Sequence, residues 1–185
     1  MNTKTILLLA LAVLALPLAY AASGTGTVGV NITSTNQIAV YVDNNTNSST
    51  LNFIPVAPPA AGSITLETDF ASNMTGGVTG FVVENQGNVN VSINVTSSAT
   101  AAQFIGGTNP VFQMWGVDKK AGSCATGLVA KGSAFNLSSA GSLVCGNLQY
   151  PDASDTIDAY MTITIPSDAP VAANSATITF TSTQV

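Results

Sequence analysis

The chain has 185 residues, of which only 7% are charged, and a formal net charge of −5. It contains no histidine or arginine, and beyond Lys4 its only basic residues are Lys119, Lys120 and Lys131. That excludes the basic footprint a nucleic-acid partner needs, and it removes the side chains most often used as acid–base catalysts or to activate nucleophiles.

Residues 1–21 read as a secretory signal peptide. Lys4 supplies the positive start, Thr5–Leu18 is apolar with Pro17 near its end, and Ala19-Tyr20-Ala21 fits a small-x-small cleavage site. A retained membrane anchor is the competing reading, but the apolar stretch has 14 residues, against about 20 for a spanning helix. No cysteine follows this stretch, so lipoprotein processing is not indicated, and no glycine preceded by a basic residue marks a type IV pilin leader. The expected organisation is a leader at 1–21, an N-terminal strand within 22–34, and one domain over 35–185.

From Thr25 onward, apolar and polar residues alternate with period two, and no segment sustains a helical period. Val28, Val30 and Ile32 alternate with Gly29 and Asn31, followed by Ile38, Val40 and Val42, then Ile64 and Leu66, then Phe81–Val83. Asn88–Ser97 is the clearest strand, with Val89, Val91, Ile93 and Val95 on one side and Asn90, Ser92, Asn94 and Thr96 on the other. One helical turn is expected within Ser98–Gly107. Val111–Val117 is a further strand, Leu128–Ala130 and Leu143–Cys145 are shorter candidates, and Asp155–Pro166 and Ala176–Phe180 close the series. Turn clusters separate them, including Asn44–Thr50, Pro55–Gly62 and Gln86-Gly87-Asn88, where Gly87 permits the positive φ of a hairpin loop and Asn85 and Asn88 tolerate it next best. Many short strands with this punctuation predict a single jelly-roll or Ig-like antiparallel β-sandwich, all-β in class.

Cys124 and Cys145 are the only cysteines, and export would place them in an oxidising space. A disulfide is the expected pairing; closing 20 intervening residues stabilises by about 3 kcal/mol on the chain-entropy model. Seven sequons begin at Asn31, Asn44, Asn47, Asn73, Asn90, Asn94 and Asn136. They point to a glycosylated surface, with Asn44, Asn47 and Asn73 expected to be the most accessible.

Other candidate sites are sparse. Asp152, Asp155 and Asp158 form the best calcium candidate, although they lack the glycine and terminal glutamate of an EF-hand loop. The residues call for no metal and no cofactor. Glu67 and Asp69 are expected as two solvated residues of one strand rather than a glycosidase pair. Lys119 and Lys120 read as an exposed basic tip, with an isopeptide crosslink as the sharper alternative. No catalytic residue is assigned.

The run Phe81-Val-Val-Glu-Asn-Gln-Gly-Asn-Val-Asn-Val-Ser-Ile-Asn-Val-Thr resembles a strand–turn–strand pattern of secreted archaeal β-sandwich proteins. So does the ending Ile163-Thr-Ile-Pro-Ser-Asp-Ala-Pro followed by Ser175-Ala-Thr-Ile-Thr-Phe-Thr. The whole is similar to archaeal and bacterial surface-fibre subunits of the TasA, bundling-pilus and thread type. That resemblance implies an extracellular or cell-surface location, a homopolymer, glycosylation, no catalytic residue, and an N-terminal strand donated to the next subunit. Here the donor would carry Val28, Val30 and Ile32, although no donor motif carries over residue by residue. An internal hairpin through Ser34-Thr35-Asn36 is the alternative fate of that strand. The alternative function is a monomeric adhesion module for cell-surface glycans or proteins, with Trp115, Tyr150 and the aspartates around Asp155 as its candidate contacts.

Overall fold

The computed structural model describes Ser34 and residues 36–43, 48–172 and 174–185. The chain divides into two units, Met1–Ile32 and Thr33–Val185, and the described residues belong to the second. The expected leader at 1–21, the alternating residues Val28, Val30 and Ile32, and the sequons at Asn31, Asn44 and Asn47 lie outside the described residues. Among the described residues, no helix is long and apolar enough to cross a membrane.

The fold is all-β, and the described residues form nine strands in two antiparallel sheets. In chain order these are β1 (Ile38–Val42), β2 (Ser63–Glu67), β3 (Phe81–Asn85), β4 (Val91–Ser97) and β5 (Val111–Asp118), then β6 (Phe135–Asn136), β7 (Ser142–Leu148), β8 (Thr156–Pro166) and β9 (Ile178–Gln184). The larger sheet runs β1-β3-β8-β5-β6, with β2 also paired to β8; the smaller runs β7-β4-β9. The 11-residue β8 organises the larger sheet. One of its edges holds β3 over Thr156–Ala159 and β2 over Thr162–Pro166, and its other edge holds β5.

Period-two patterning predicts which side chains point inward. On β4, Val91, Ile93 and Val95 are buried while Ser92, Asn94 and Thr96 are half-buried on the other face. Ile157, Ala159, Met161 and Ile163 of β8 and Phe112 and Met114 of β5 face them across one core. Burying each large aliphatic side chain stabilises by about 1.5–3 kcal/mol. The expected helical turn is α1 (Ala101–Phe104), whose Phe104 packs on Phe112 with ring centroids 4.7 Å apart.

Two local expectations are corrected. Gly87 does not adopt a positive φ. The β3–β4 turn is instead an Asx turn in which the Gly87 N–H donates to Asn85 Oδ1 at 3.0 Å. Leu128–Ala130 forms no strand. Val129 accepts from the Gly116 N–H at 2.8 Å and donates to the Val144 carbonyl at 3.1 Å, so this segment bridges the two sheets between β5 and β7. The two-residue β6 carries too little pattern to be legible in the sequence.

Candidate functional site: an open sheet edge over an apolar groove

The two long sides of the sandwich differ. At the β5–β7 side the sheets are tied together by Val129 and by the Cys124–Cys145 disulfide, whose Cα atoms are 5.9 Å apart. Cys145 is fully buried, and Ala125 and Asn147 add a backbone bond beside it. The expected pairing of the two cysteines is therefore present.

At the opposite side β9 has a partner, β4, on one edge only among the described residues. The Val185 N–H donates to Asn90 O, and the Ser98 N–H donates to Thr177 O. With the register Val91↔Gln184 through Ser97↔Ile178, the hydrogen-bonded pairs fall on the odd-numbered residues of β9, Thr179, Thr181 and Thr183. The N–H and C=O groups of Ile178, Phe180, Ser182 and Gln184 consequently point away from β4. Ser182 O accepts from Asn36 Nδ2 at 2.9 Å, which places Asn36 on this outer edge.

The side chains of Ile178 and Phe180, on the residues whose backbone faces outward, pack against the core. Phe180 meets Phe81 edge-on at 5.7 Å. Beneath the edge lies a groove of about 1180 Å³, walled by β1, β2 and β3 of the larger sheet and by Leu51–Pro58, with Val40, Phe53, Phe81 and Phe104 among its apolar surfaces. No charged side chain stands among the described lining residues. Next to the lining residues Ala169 and Pro170, the Asp168 carboxylate accepts from the Thr108 N–H at 2.9 Å and the Thr108 hydroxyl at 2.6 Å. These bonds lower the Asp168 pKa, the hydroxyl contributing most. A ladder edge with no strand partner among the described residues, above an uncharged apolar trough, is the chemistry that accepts an added β-strand.

The charged residues sit elsewhere, and each described lysine grips two carboxylates. Lys119 Nζ lies 2.6 Å from Asp43 and 3.1 Å from Asp158, and Lys120 Nζ lies 2.7 Å from Asp155 and 3.4 Å from Asp152. The three aspartates of the calcium candidate are thus divided between two lysines, and no acidic cluster suited to a metal occurs among the described residues. Lys119 and Lys120 form an ion-paired clasp rather than a bare basic tip. Burial of Asp158 raises its pKa, and contact with Lys119 only partly offsets this. Lys131 Nζ lies 2.8 Å from Glu67 and 3.1 Å from Asp69, so these acids are not freely solvated. The same ammonium stands 5.1 Å over Trp115 and 5.6 Å over Phe70.

The residues considered for an adhesive patch are dispersed. Trp115 is 4% exposed, covered by Lys131 and stacked on Tyr160 at 4.7 Å, so its ring is not presented to a ligand. Tyr150 is exposed, and Asp155 is buried under Lys120. Among the sequons, Asn136 is exposed, Asn90 and Asn94 are half-buried, and Asn73 is half-buried with its Nδ2 donated to Glu67 O at 3.0 Å. Asn73 is therefore less accessible than its turn composition predicts.

Sequence reasoning missed the groove, because its walls come from strands far apart in the chain. It placed Asn85 in the turn but missed the hydrogen bonds of its side chain, for which the Asn-x-Gly spacing is the one local signal of an Asx turn.

Fold and site together define an all-β sandwich closed along one side, with a strand edge along the other that has no strand partner among the described residues. No protein-family model matches the chain, and no curated protein or solved structure matches it.

Proposed function

We propose that this chain is a non-catalytic structural subunit of an extracellular filament or surface layer, in which the N-terminal segment Thr25–Ser34 of one copy adds as a strand to β9 of the next. The observation that carries the reading is the outward ladder edge of Ile178, Phe180 and Gln184 above an uncharged apolar groove. The segment is complementary in its pattern: it carries no charge, and Val28, Val30 and Ile32 share one face while Asn31 takes the other. Ten extended residues reach roughly 33 Å, and the seven residues of β9 span about 23 Å. Main-chain bonds then supply affinity and alternate side-chain pockets supply register. Contacts of this head-to-tail kind do not close on themselves, so they generate fibres.

The test is a chain lacking Ala22–Ser34, checked for folding by circular dichroism. It is expected to remain monomeric and to bind a synthetic Thr25–Ser34 peptide, and a Phe180→Glu change is expected to abolish that binding. Assembly of the truncated chain, or a folded truncated chain that ignores the peptide, refutes the reading. If the intact chain stays monomeric while the truncated one binds the peptide, the segment fills the groove of its own subunit and the filament reading fails.

A further inference from the structure

Four of the seven sequons lie in the described residues, and their amides differ in what they can do. Asn73 is engaged: its Nδ2 donates to Glu67 O and its backbone N–H to Phe70 O within a tight turn. Asn94 lies on β4 and Asn90 directly before it; β4 is the central strand of the smaller sheet, flanked by β7 and β9. Their sequons run through a ladder paired on both sides, which holds them extended and half-buried.

Asn136 is different in each respect. It is exposed and lies on β6, a two-residue strand at the end of the larger sheet with a strand partner on one side only among the described residues. Its Oδ1 accepts from Gln113 Nε2 at 3.0 Å, which orients the amide and leaves Nδ2 without a hydrogen-bond partner among the described residues. Next to it Leu137 is 2% exposed and donates its N–H to Phe112 O, so the chain beside the acceptor is anchored. Ser138, the hydroxyl residue of the sequon, is half-exposed at the start of the following turn.

We infer that Asn136 is the principal N-glycan acceptor among the described sequons, modified by an oligosaccharide delivered on a lipid phosphate or pyrophosphate. In the transfer, Asn136 Nδ2 bonds to the anomeric carbon of the sugar. The bond from that carbon to the lipid-phosphate oxygen breaks, the phosphate leaves with the electron pair, and the amide proton passes to the base of the transferase. The inference does not depend on how subunits assemble. Its consequence for the fold is that a sugar on β6 covers the terminal edge of the larger sheet and bars a strand from adding there.

Glycopeptide mapping and intact mass of the full chain purified from its native host test this assignment. Asn136 is expected to show the highest occupancy of the four, with Asn73 bare. An Asn136→Gln variant is expected to lose the mass of one glycan, whereas Asn73→Gln loses none. An unmodified Asn136 peptide, an occupied Asn73, or higher occupancy at Asn90 or Asn94 overturns it, and so does a chain bare throughout.

Discussion

Asn85 is 1% exposed and joins three parts of the sandwich through its side chain. Its Nδ2 donates to Val89 O at 2.9 Å, Gln149 O at 3.2 Å and Leu148 O at 3.3 Å, while Oδ1 accepts from the Gly87 N–H. The first and last of these set the β3–β4 turn, and the other two tie that turn to the end of β7. An Asn85→Ala change removes a net hydrogen-bond contribution of about 1 kcal/mol per bond and leaves buried carbonyls and an N–H unpaired, for a loss of about 3–5 kcal/mol. In a chain of this size each kcal/mol moves the melting temperature by about 2–4 °C, so the expected fall is about 6–20 °C. Asn85→Asp separates hydrogen bonding from packing. It keeps the shape of the side chain but replaces a donor with an ionised acceptor facing three carbonyls, and it is expected to cost at least as much as alanine. Urea unfolding of both variants, with the disulfide intact, provides the measurement. An Asn85→Asp protein within about 1 kcal/mol of the parent would refute the donor role.

Three further outcomes are expected. Replacing Cys124 and Cys145 together by serine lowers the unfolding free energy by about 3 kcal/mol; equal urea midpoints with and without the bond contradict this. Gly80 has φ +52°, and an added Cβ would sit 2.7 Å from Tyr160 Cδ1 and 3.0 Å from Ala159 O. Tyr160 is stacked on Trp115 and bonded to Asp158, so it cannot yield, and Gly80→Ala is expected to cost about 2–4 kcal/mol by thermal unfolding. Stability is expected to decline in alkali. Burial lowers the pKa of Lys119, but its bonds to Asp43 and Asp158 outweigh this and the net shift is upward; Lys120 and Lys131 are raised chiefly by Asp155 and Glu67. Tyr160 is pushed up to about 12, first by burial and then by Asp158. Because these folded values lie above the ordinary values of 10.5 for lysine and 10.0 for tyrosine, the contribution is complete below the unfolded pKa values. It disappears as pH rises through the folded ones. A urea midpoint that holds constant from about pH 9 to about pH 12 counts against the lysine clasps.

The strands were legible from local pattern because inward and outward residues alternate on a half-buried sheet whatever the sheet's partners are. Asn88–Ser97 and Asp155–Pro166 display that period directly, and the structure places their apolar residues in the core. The pairing of Cys124 with Cys145 was also within reach, since two cysteines allow one intramolecular bond. Leu128–Ala130 has a strand's composition, yet it bridges two sheets, because the neighbours that take its hydrogen bonds are set by the approach of β5 and β7. The destinations of the charges were equally hidden. Lys131 meets Glu67 and Asp69 from more than 60 residues away, and Asp158 is parted from Asp155 because Lys119 pairs with Asp43 and Asp158 while Lys120 pairs with Asp152 and Asp155 of the turn before β8. The groove is the clearest case of a feature decided by tertiary structure. Alternation marks Ile178 and Phe180 as inward-facing, but only the register with β4 turns their backbone groups outward. Only the separation of β9 from β1, β2 and β3 leaves an uncharged trough beneath them.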